Sequence, residues 1–475
     1  MIKLKTKLNA AAILFQACLL AACAAGPDYK SPDLVLPETW AAVQDDGAIK
    51  ASAAEAQWWR LYADAALDTL EEEALAHNSD IQVAAARVLE VRAQLGISGA
   101  DQYPTVSAHV MQSRTKSTLA GAAPRPANLA RIQDLSHTSL DASYELDLWG
   151  KFRRASEAAR ADLLAAESAQ ETVRLTLTTQ VAQQYFALVA LDAQEVAVRR
   201  LLESRQERIG INRKQVEVGI LSEYDLHQAE ADVAAVQSQL VSIALARSKQ
   251  ETALTLLLGR SPRDVMAAGV QRGTPALPLA TVPEGLPSDM LLRRPDLRDA
   301  EQRLVALNAR IGVARAQYFP SISLTGYVGG ESVAFSDLFT GPARIFQFAG
   351  NIAQPIFNAG RVGYMVDAAE ARRDQALLLY KQAVANAFGD VRNALSAQDS
   401  ARQVLSFESA RSTALASAYK QAELRYQSGI ASRLELLDVE RNYLQAQLNR
   451  LDAERAQRSA VADLFKALGG GWKTQ

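Results

Sequence analysis

Residues 96–110 read GISGADQYPTVSAHV, and residues 312–326 read GVARAQYFPSISLTG. In both, Gly and Ala recur at one spacing, an aromatic residue precedes Pro, and a short alternating stretch follows. The residue before a proline is pushed out of the α region, so each stretch marks a helix giving way to a strand. The correspondence extends outward in both directions. Asp80 aligns with Asp296, Arg87 with Arg303, Gly96 with Gly312, Ala100 with Ala316 and Pro104 with Pro320, all without a gap. Beyond the strands the offset shifts by six and then holds: Gly150 with Gly360, Gly219 with Gly429, Ile220 with Ile430, Gly259 with Gly469. A register kept over that length is internal duplication. Each copy runs helix, strand, strand, long helix, hairpin, helix.

The clearest strand is SLDASYELDLW (139–149), which alternates strictly. Leu140, Ala142, Tyr144, Leu146 and Leu148 point one way; Asp141, Ser143, Glu145 and Asp147 point the other. Its length of about eleven residues suits a tilted strand crossing a bilayer. PTVSAHV is a weaker version, and RIFQFAGNI a moderate one with Phe346, Phe348 and Ile352 on one face. The pattern predicts strands over about 104–113, 139–149, 320–330 and 344–357. Taken alone, these stretches fit a soluble β-hairpin equally well.

Helices fill most of the rest. QWWRLYADAALDTLEEEALAHNSDIQVAAARVLEVRAQLG has helical spacing with Leu67, Leu70, Ala74 and Leu75 on one side, and Asn78-Ser79-Asp80 breaks it with a capping signal. The helix after that break is expected to end near Gln102. From Lys151 to Val218 there is no Pro and one Gly, Gly210. Roughly 68 helical residues at 1.5 Å rise would reach about 100 Å, a coiled-coil-scale object whose apolar seam runs through Leu163, Leu164, Val173, Leu177, Val181 and Leu188. Gly219 ends it, and a second helix spans 223–258. The second copy repeats this as 361–428 and 432–467.

Four strands cannot close, and lipid does not tolerate an open sheet edge. Bacterial barrels begin at eight strands, so the strands must be pooled between chains. Three chains give twelve, and threefold closure is an ordinary solution. Polar faces turned inward then describe a water-filled conduit continued by a helical cylinder.

Composition agrees. Ala, Gln, Glu, Arg and Leu dominate and aromatic residues are 6%, usage that favours long helices. The net charge of −2 gives no electrostatic case for nucleic acid as a partner. Lys3, Lys5 and Lys7 precede an apolar run from Ala10 to Leu20, the order of a secretory signal and too short to span a membrane. The run ends in Leu20-Ala21-Ala22-Cys23, which resembles the bacterial lipoprotein signal. By that resemblance residues 1–22 are removed and Cys23 carries a covalent lipid, with Ala24 rather than Asp next to it and hence an outer membrane address. Ordinary signal cleavage beside a chance Cys is the alternative. Cys18 follows the bulky Phe15-Gln16 and does not fit. With no second Cys left, no disulfide is expected to hold the mature chain. Residues 23–57, with Pro27, Pro32 and Pro37, read as a lipid-anchored tether. Residues 58–259 form the first repeat, 260–295 a Pro-rich linker, 296–469 the second repeat and 470–475 a tail.

The segments GPDYKSP (26–32), YELDLWGKFRR (144–154), LLGRSP (257–262), RRPDLRDAEQRLVALNARIGVARAQYFPSISLTGYVG (293–329), QPIFNAGR (354–361), RYQSGIASRLELLDVER (425–441) and ALGGGW (467–472) carry a resemblance. They are similar to the TolC-like outer membrane factors, specifically the OprM/NodT-like lipoprotein branch that serves resistance–nodulation–division (RND) efflux pumps. The resemblance covers nearly the whole mature chain. It implies a homotrimer with a twelve-strand outer membrane β-barrel and a helical periplasmic tunnel in a Gram-negative bacterium. It also implies an equatorial girdle from residues near 58–78, the 260–295 linker and the C-terminus. The implied partners are a periplasmic adaptor (membrane fusion) protein, an inner membrane RND transporter and outer membrane lipids. With 5 Met in the chain, the copper-exporting relatives are disfavoured.

Two hairpin tips, Gly219-Ile220-Leu221-Ser222 and Gly429-Ile430-Ala431-Ser432, place a turn-forming Gly beside apolar residues with no core to enter. Simple helical turns are one reading; the resemblance implies docking to the adaptor. Leu434 and Asp438 are four apart and share a helix face. In the family, matching positions close the resting channel and favour cations, while a plain surface Asp on a coiled coil is the alternative. Arg425 and Tyr426 are candidate latch partners near the same tip.

No enzyme chemistry is visible. His77, His109, His137 and His227 have no ligand spacing, and no nucleophile elbow, P-loop or dinucleotide fingerprint occurs. No cofactor or metal beyond the lipid on Cys23 is expected. The reading is a passive exit duct for drugs or other small toxic compounds in a tripartite pump, gated at its periplasmic end. A type I protein-secretion duct and a periplasmic coiled-coil scaffold are the alternatives, and the scaffold would need no amphipathic strands. Substrate range is not legible in a conduit.

Overall fold

The computed structural model describes residues 24–34, 57–118, 130–267, 269–277 and 292–470. Cys23 lies outside the described residues. A 3₁₀ turn at Trp58–Tyr62 precedes α1 (Ala65–His77) and α2 (Ser79–Ala100). Strands β1 (Thr105–Lys116) and β2 (Ile132–Glu145) follow, then α3 (Lys151–Glu217), α4 (Glu223–Leu257) and the short α5 (Pro262–Ala267). The second copy comprises α6 (Pro295–Ala316), β3 (Ser321–Ser332), β4 (Arg344–Ala353), α7 (Arg361–Gln427) and α8 (Arg433–Ala467). Among the described residues no helix is long and apolar enough to cross a membrane. The described residues fall into two compact units, one drawn from Met1–Asp33, Val88–Ala166 and Ala300–Tyr380, the other from Leu34–Arg87, Glu167–Asp299 and Lys381–Gln475.

The first unit contains a four-stranded antiparallel sheet in the order β1-β2-β3-β4. Register runs from Thr105 opposite Ser143 to Lys116 opposite Ile132, from Ser136 opposite Ser332 to Glu145 opposite Ser323, and from Ser321 opposite Ala353 to Gly330 opposite Arg344. Residues that face each other across a ladder share a side of the sheet, so the register sorts every strand residue to one of two faces.

β2 departs from the 139–149 expectation at both ends. It begins at Ile132, where β1 supplies partners as far as Lys116, and it stops at Glu145. Asp147, expected as a polar strand residue, instead accepts from the backbone N–H groups of Phe152 (3.2 Å) and Arg153 (2.9 Å). It satisfies the free donors at the start of α3 and so ends the strand. Trp149 stacks on Phe319 at 4.6 Å, and its Nε1 donates to Pro320 O at 2.8 Å, tying together the strand–helix steps of the two copies. β4 ends at Ala353 rather than 357, just before Pro355, which has no N–H to continue a ladder.

Helices of this unit meet through small residues. Ala158 and Ala161 of α3 and Ala306 and Ala309 of α6 form one buried cluster; Ile311 and Ala314 meet Val366 and Ala369 of α7 in another. The described part of the expected tether, residues 24–34, is clamped here. Gly26 has φ +102°, and a Cβ on it would lie 2.4 Å from Gly312 Cα. Asn308 Nδ2 donates to Pro27 O at 2.9 Å, Arg154 pairs with Asp28 at 2.6 Å, and Tyr29 donates to Glu301 at 3.1 Å.

The second unit has the larger core. Trp58, Trp59 and Tyr62 pack with Leu67 and Leu70 of α1, Leu177, Val181, Tyr185 and Phe186 of α3, and Leu464 and Phe465 of α8. Trp58 stacks on Phe465 at 5.7 Å. Of the expected α3 seam, Leu177, Val181 and Leu188 are buried, whereas Leu164 is 44% exposed within the single chain. The linker is threaded through polar contacts: Tyr185 donates to Asp64 at 2.8 Å and accepts from Gly273 N at 2.7 Å, and Arg458 donates to Pro275 O at 3.1 Å.

Each repeat closes on itself by the same device. Asn78 accepts from Asp80 N (2.8 Å) and donates to Leu257 O (2.8 Å), capping the start of α2 and the end of α4 together. The aligned Arg294 donates to Ala467 O at 2.8 Å, at the end of α8, and pairs with Asp296 (2.8 Å) and Asp390 (3.1 Å).

One charge is out of place in this unit. Glu71 of α1 is wholly buried, and neither carboxyl oxygen finds a hydrogen-bond partner among the described residues. Burial pushes its carboxyl well above the usual carboxylate range, and the nearby Asp68 carboxylate adds to the rise.

Candidate functional site

The two tips are built identically. Gly219 and Gly429 have φ of +75° and +73°, the left-handed conformation that ends a helix and that only Gly adopts without strain. Ile220 N bonds back to Gln215 O at 2.8 Å, and Ile430 N to Arg425 O at 2.9 Å. Ser222 and Ser432 then cap the returning helices, accepting from Asp225 N (3.2 Å) and Glu435 N (3.1 Å). Ile220 and Ile430 are 75% and 71% exposed, as expected of residues with no core to enter. Leu221 is half-buried and Ala431 buried, so within each four-residue turn the isoleucine is the most exposed apolar side chain.

The second hairpin carries the candidate gate. Leu434 is 78% exposed, while Asp438 accepts from Arg441 (2.6 Å) and Asn442 (3.3 Å) on its own helix. Arg425 pairs across the tip with Glu435 at 3.1 Å, joining α7 to α8. At the aligned positions the first hairpin has Tyr224 and Gln228 instead of Leu434 and Asp438, so the two hairpins are not equivalent.

Behind the tips lies a cavity of about 240 Å³ lined by Arg205, Arg208, Asn212, Glu423, Tyr426 and Arg433, among others. Tyr426 is therefore a wall of that cavity. Arg433 donates to Asp225 O at 3.3 Å, a contact between the two hairpins. Glu440, 3% exposed, accepts from Arg205 at 3.1 Å and from Tyr419 at 3.4 Å; Arg208 in turn donates to Tyr419 at 3.2 Å. This carboxylate ties α8 to α3 and α7. Nothing in the sequence distinguishes Glu440 from the many solvated Glu residues of these helices; only the crossing of three helices does.

The sheet is the other functional surface. On one face stand Val106 and Val110, Leu140 and Ala142, Leu324 and Val328, and Phe346, Phe348 and Ile352; Val106 is 70% and Phe348 78% exposed. The opposite face carries Ser107, His109, Ser139, Asp141, Ser143, Thr325, Tyr327, Gln347 and Asn351. One apolar and one polar face is the division a membrane barrel strand requires.

A family model described as "Outer membrane efflux protein" matches residues 70–260 and 286–470, one copy on each repeat. The chain belongs to the outer membrane efflux protein family. Relatives match it end to end. The "Cation efflux system protein CusC" of Escherichia coli O6:H1 is 34% identical over 459 residues, covering 96% of this chain and 97% of that one. The "Toluene efflux pump outer membrane protein TtgC" of Pseudomonas putida is 33% identical over 468 residues, covering 97% and 95%. The crystal structure of the Campylobacter jejuni CmeC outer membrane channel superposes with a TM-score of 0.89 at 28% identity, covering 95% and 96%. The family is one of outer membrane efflux channels and not of enzymes. Similarity to the protein named for cations matches that to the one named for toluene.

Proposed function

We propose that this chain is the exit duct of a tripartite RND-type pump, working as a homotrimer that passes drugs or other small toxic compounds across the outer membrane. The observation that supports the reading is the apolar face continuous across four strands whose outer members, β1 and β4, each have one edge unpaired among the described residues. The strands alternate in direction, so β4 of one chain meets β1 of the next antiparallel, and three chains close a twelve-strand barrel with the polar face inward. The tips Gly219–Ser222 and Gly429–Ser432 dock the periplasmic adaptor through Ile220 and Ile430. Leu434 and Asp438, repeated threefold, form the resting gate, and the Arg425–Glu435 pair and Tyr426 hold the second hairpin in place. Cys23 carries the lipid.

The test is the mass and symmetry of the detergent-purified full chain, by light scattering and electron microscopy. A threefold particle with a detergent belt supports the duct. A monomer, or a particle without a belt, refutes it.

A further inference from the structure

Ladder register sorts charge on the sheet as well as apolar side chains. Arg114 and Lys116 of β1 and Arg344 of β4 fall on the same face as Val110, Phe346 and Phe348, and all three cations are exposed. They stand at the end of the sheet remote from the strand–helix steps. At the other end that face holds Val106, Tyr144, Ile322 and Ile352 and, among the described strand residues, no charge. A cation on the lipid side of a barrel is costly at mid-bilayer and nearly free at the rim. Arg344 fits a rim position. It is eight residues from Ile352, about 27 Å along the strand and about 20 Å along the axis of a barrel whose strands tilt by about 40°. Asp134 pairs with Arg114 at 3.5 Å; Lys116 and Arg344 have no carboxylate in pairing distance among the described residues.

The loop between β3 and β4 bends over this same face. Gly330 belongs to that face by register, and a Cβ on it would lie 2.4 Å from Leu338 O. Leu338 and Ala343 are buried against the sheet end. Two 3₁₀ turns, Phe335–Asp337 and Gly341–Ala343, keep the loop compact, with the Thr340 hydroxyl donating to Asp337 O at 2.6 Å. Phe335 and Phe339 are left exposed. The loop's one acid, Asp337, accepts from Ser336 Oγ at 3.1 Å. One rim of the apolar face therefore carries aromatic rings and cations together, and the other rim carries neither cation nor acid.

We propose that Arg114, Lys116 and Arg344, with Phe335 and Phe339 beside them, seat the headgroup of an outer-leaflet glycolipid that carries phosphate monoesters. Guanidinium forks match phosphate oxygens in bidentate pairs, and a monoester carries more than one negative charge near neutral pH, enough to engage two cations. The phenylalanines meet the acyl chains that such a headgroup brings with it. A zwitterionic lipid carries its own cation and has no net charge to offer this rim. The seat rests on the proposed duct. Closing twelve strands sets β4 of one chain against β1 of the next, so Arg344 joins Arg114 and Lys116 of the neighbouring chain at each of three seams. A lipid held there ties two chains together.

The experiment uses the full chain in detergent, titrated with diphosphoryl lipid A and, separately, with phosphatidylcholine. Native mass spectrometry counts the bound lipid, and light scattering gives the trimer content of the same samples. Saturable binding of one lipid A per chain is expected, with no such step for phosphatidylcholine. A cation beside an anionic lipid surface is worth roughly fivefold in affinity. Arg344→Gln should therefore weaken binding about fivefold, and the triple variant Arg114→Gln, Lys116→Gln, Arg344→Gln on the order of 100-fold. Lys420→Gln, an exposed position on α7, should bind as wild type does. The single variant removes one exposed side chain and keeps the test decisive if the triple variant fails to assemble. Wild-type affinity in Arg344→Gln, or a trimer that takes up phosphatidylcholine as readily as lipid A, overturns the seat and leaves the duct standing. Displacement of the lipid by excess inorganic phosphate would reveal an anion site and overturns the assignment to lipid. A chain that stays monomeric in detergent refutes the duct, and the seams with it.

Discussion

Replacing Glu71 by Gln should stabilise the protein, and by more as pH rises. Both carboxyl oxygens are buried without hydrogen bonds to the described residues, and Glu71 titrates above its ordinary value of 4.5 through burial and then the neighbouring Asp68. The sign follows from proton counts. The unfolded chain ionises near the ordinary value, while the folded chain keeps its proton to higher pH. Between those two points the folded state binds more protons, so its stability falls as pH rises, by about 1.4 kcal/mol per pH unit. The contribution is whole below the unfolded value and is lost up to the folded one. Gln has nearly the shape of protonated Glu and does not titrate. At pH 4 the two proteins should therefore unfold together. From pH 5 to 7 the variant should gain at up to about 1.4 kcal/mol per unit, levelling off once Glu71 ionises in the folded state. Circular dichroism melts in detergent at four pH values measure this, with Asp68→Asn as a check on the neighbour's share. A constant difference at all pH values, or a wild type that gains on the variant as pH rises, would refute the reasoning: Glu71 would then be a paired anion.

Three further outcomes are expected. Gly219→Asp or Gly429→Asp puts a charge on a tip and forces a left-handed residue, costing roughly 1–2 kcal/mol locally; since a Cβ there meets nothing within 4 Å, the trimer should survive while export in a susceptibility assay is lost, and loss of the trimer would count against docking. Asp438→Ala should raise leak conductance and blunt cation preference, and an unchanged single-channel record would remove Asp438 from the gate. Arg294→Ala strips the cap from α8 and leaves Asp296 and Asp390, both solvent-exposed, without their guanidinium, so a loss of about 1–3 kcal/mol is expected, mostly from the Ala467 carbonyl left unpaired with little from the exposed carboxylates; a melt indistinguishable from wild type would show the clasp to be dispensable.

What could be read in the sequence is what repeats or has a period. Duplication fixed two helix–strand steps, two tips and two long helices, because Gly219 and Gly429, or Pro104 and Pro320, answer to local backbone rules that need no partner. The strand 139–149 was misplaced for the converse reason. Asp147 continues the alternation without a break, yet its side chain is spent on the backbone of α3, and a two-residue period cannot say whether a carboxylate faces water or a helix start. Glu440 and Glu71 show the same blindness in helices. Both sit among Glu-rich stretches that read as solvated faces; one is held by Arg205 across a helix crossing and the other is buried without a described partner. His109 and His137 go further, since their relation exists only through a ladder register that the sequence leaves open. Spacing along one chain finds ligands on a single element. The polar face of a sheet assembles its neighbours across strands, so His109, His137 and Glu331 come together where no spacing along the chain foretells it.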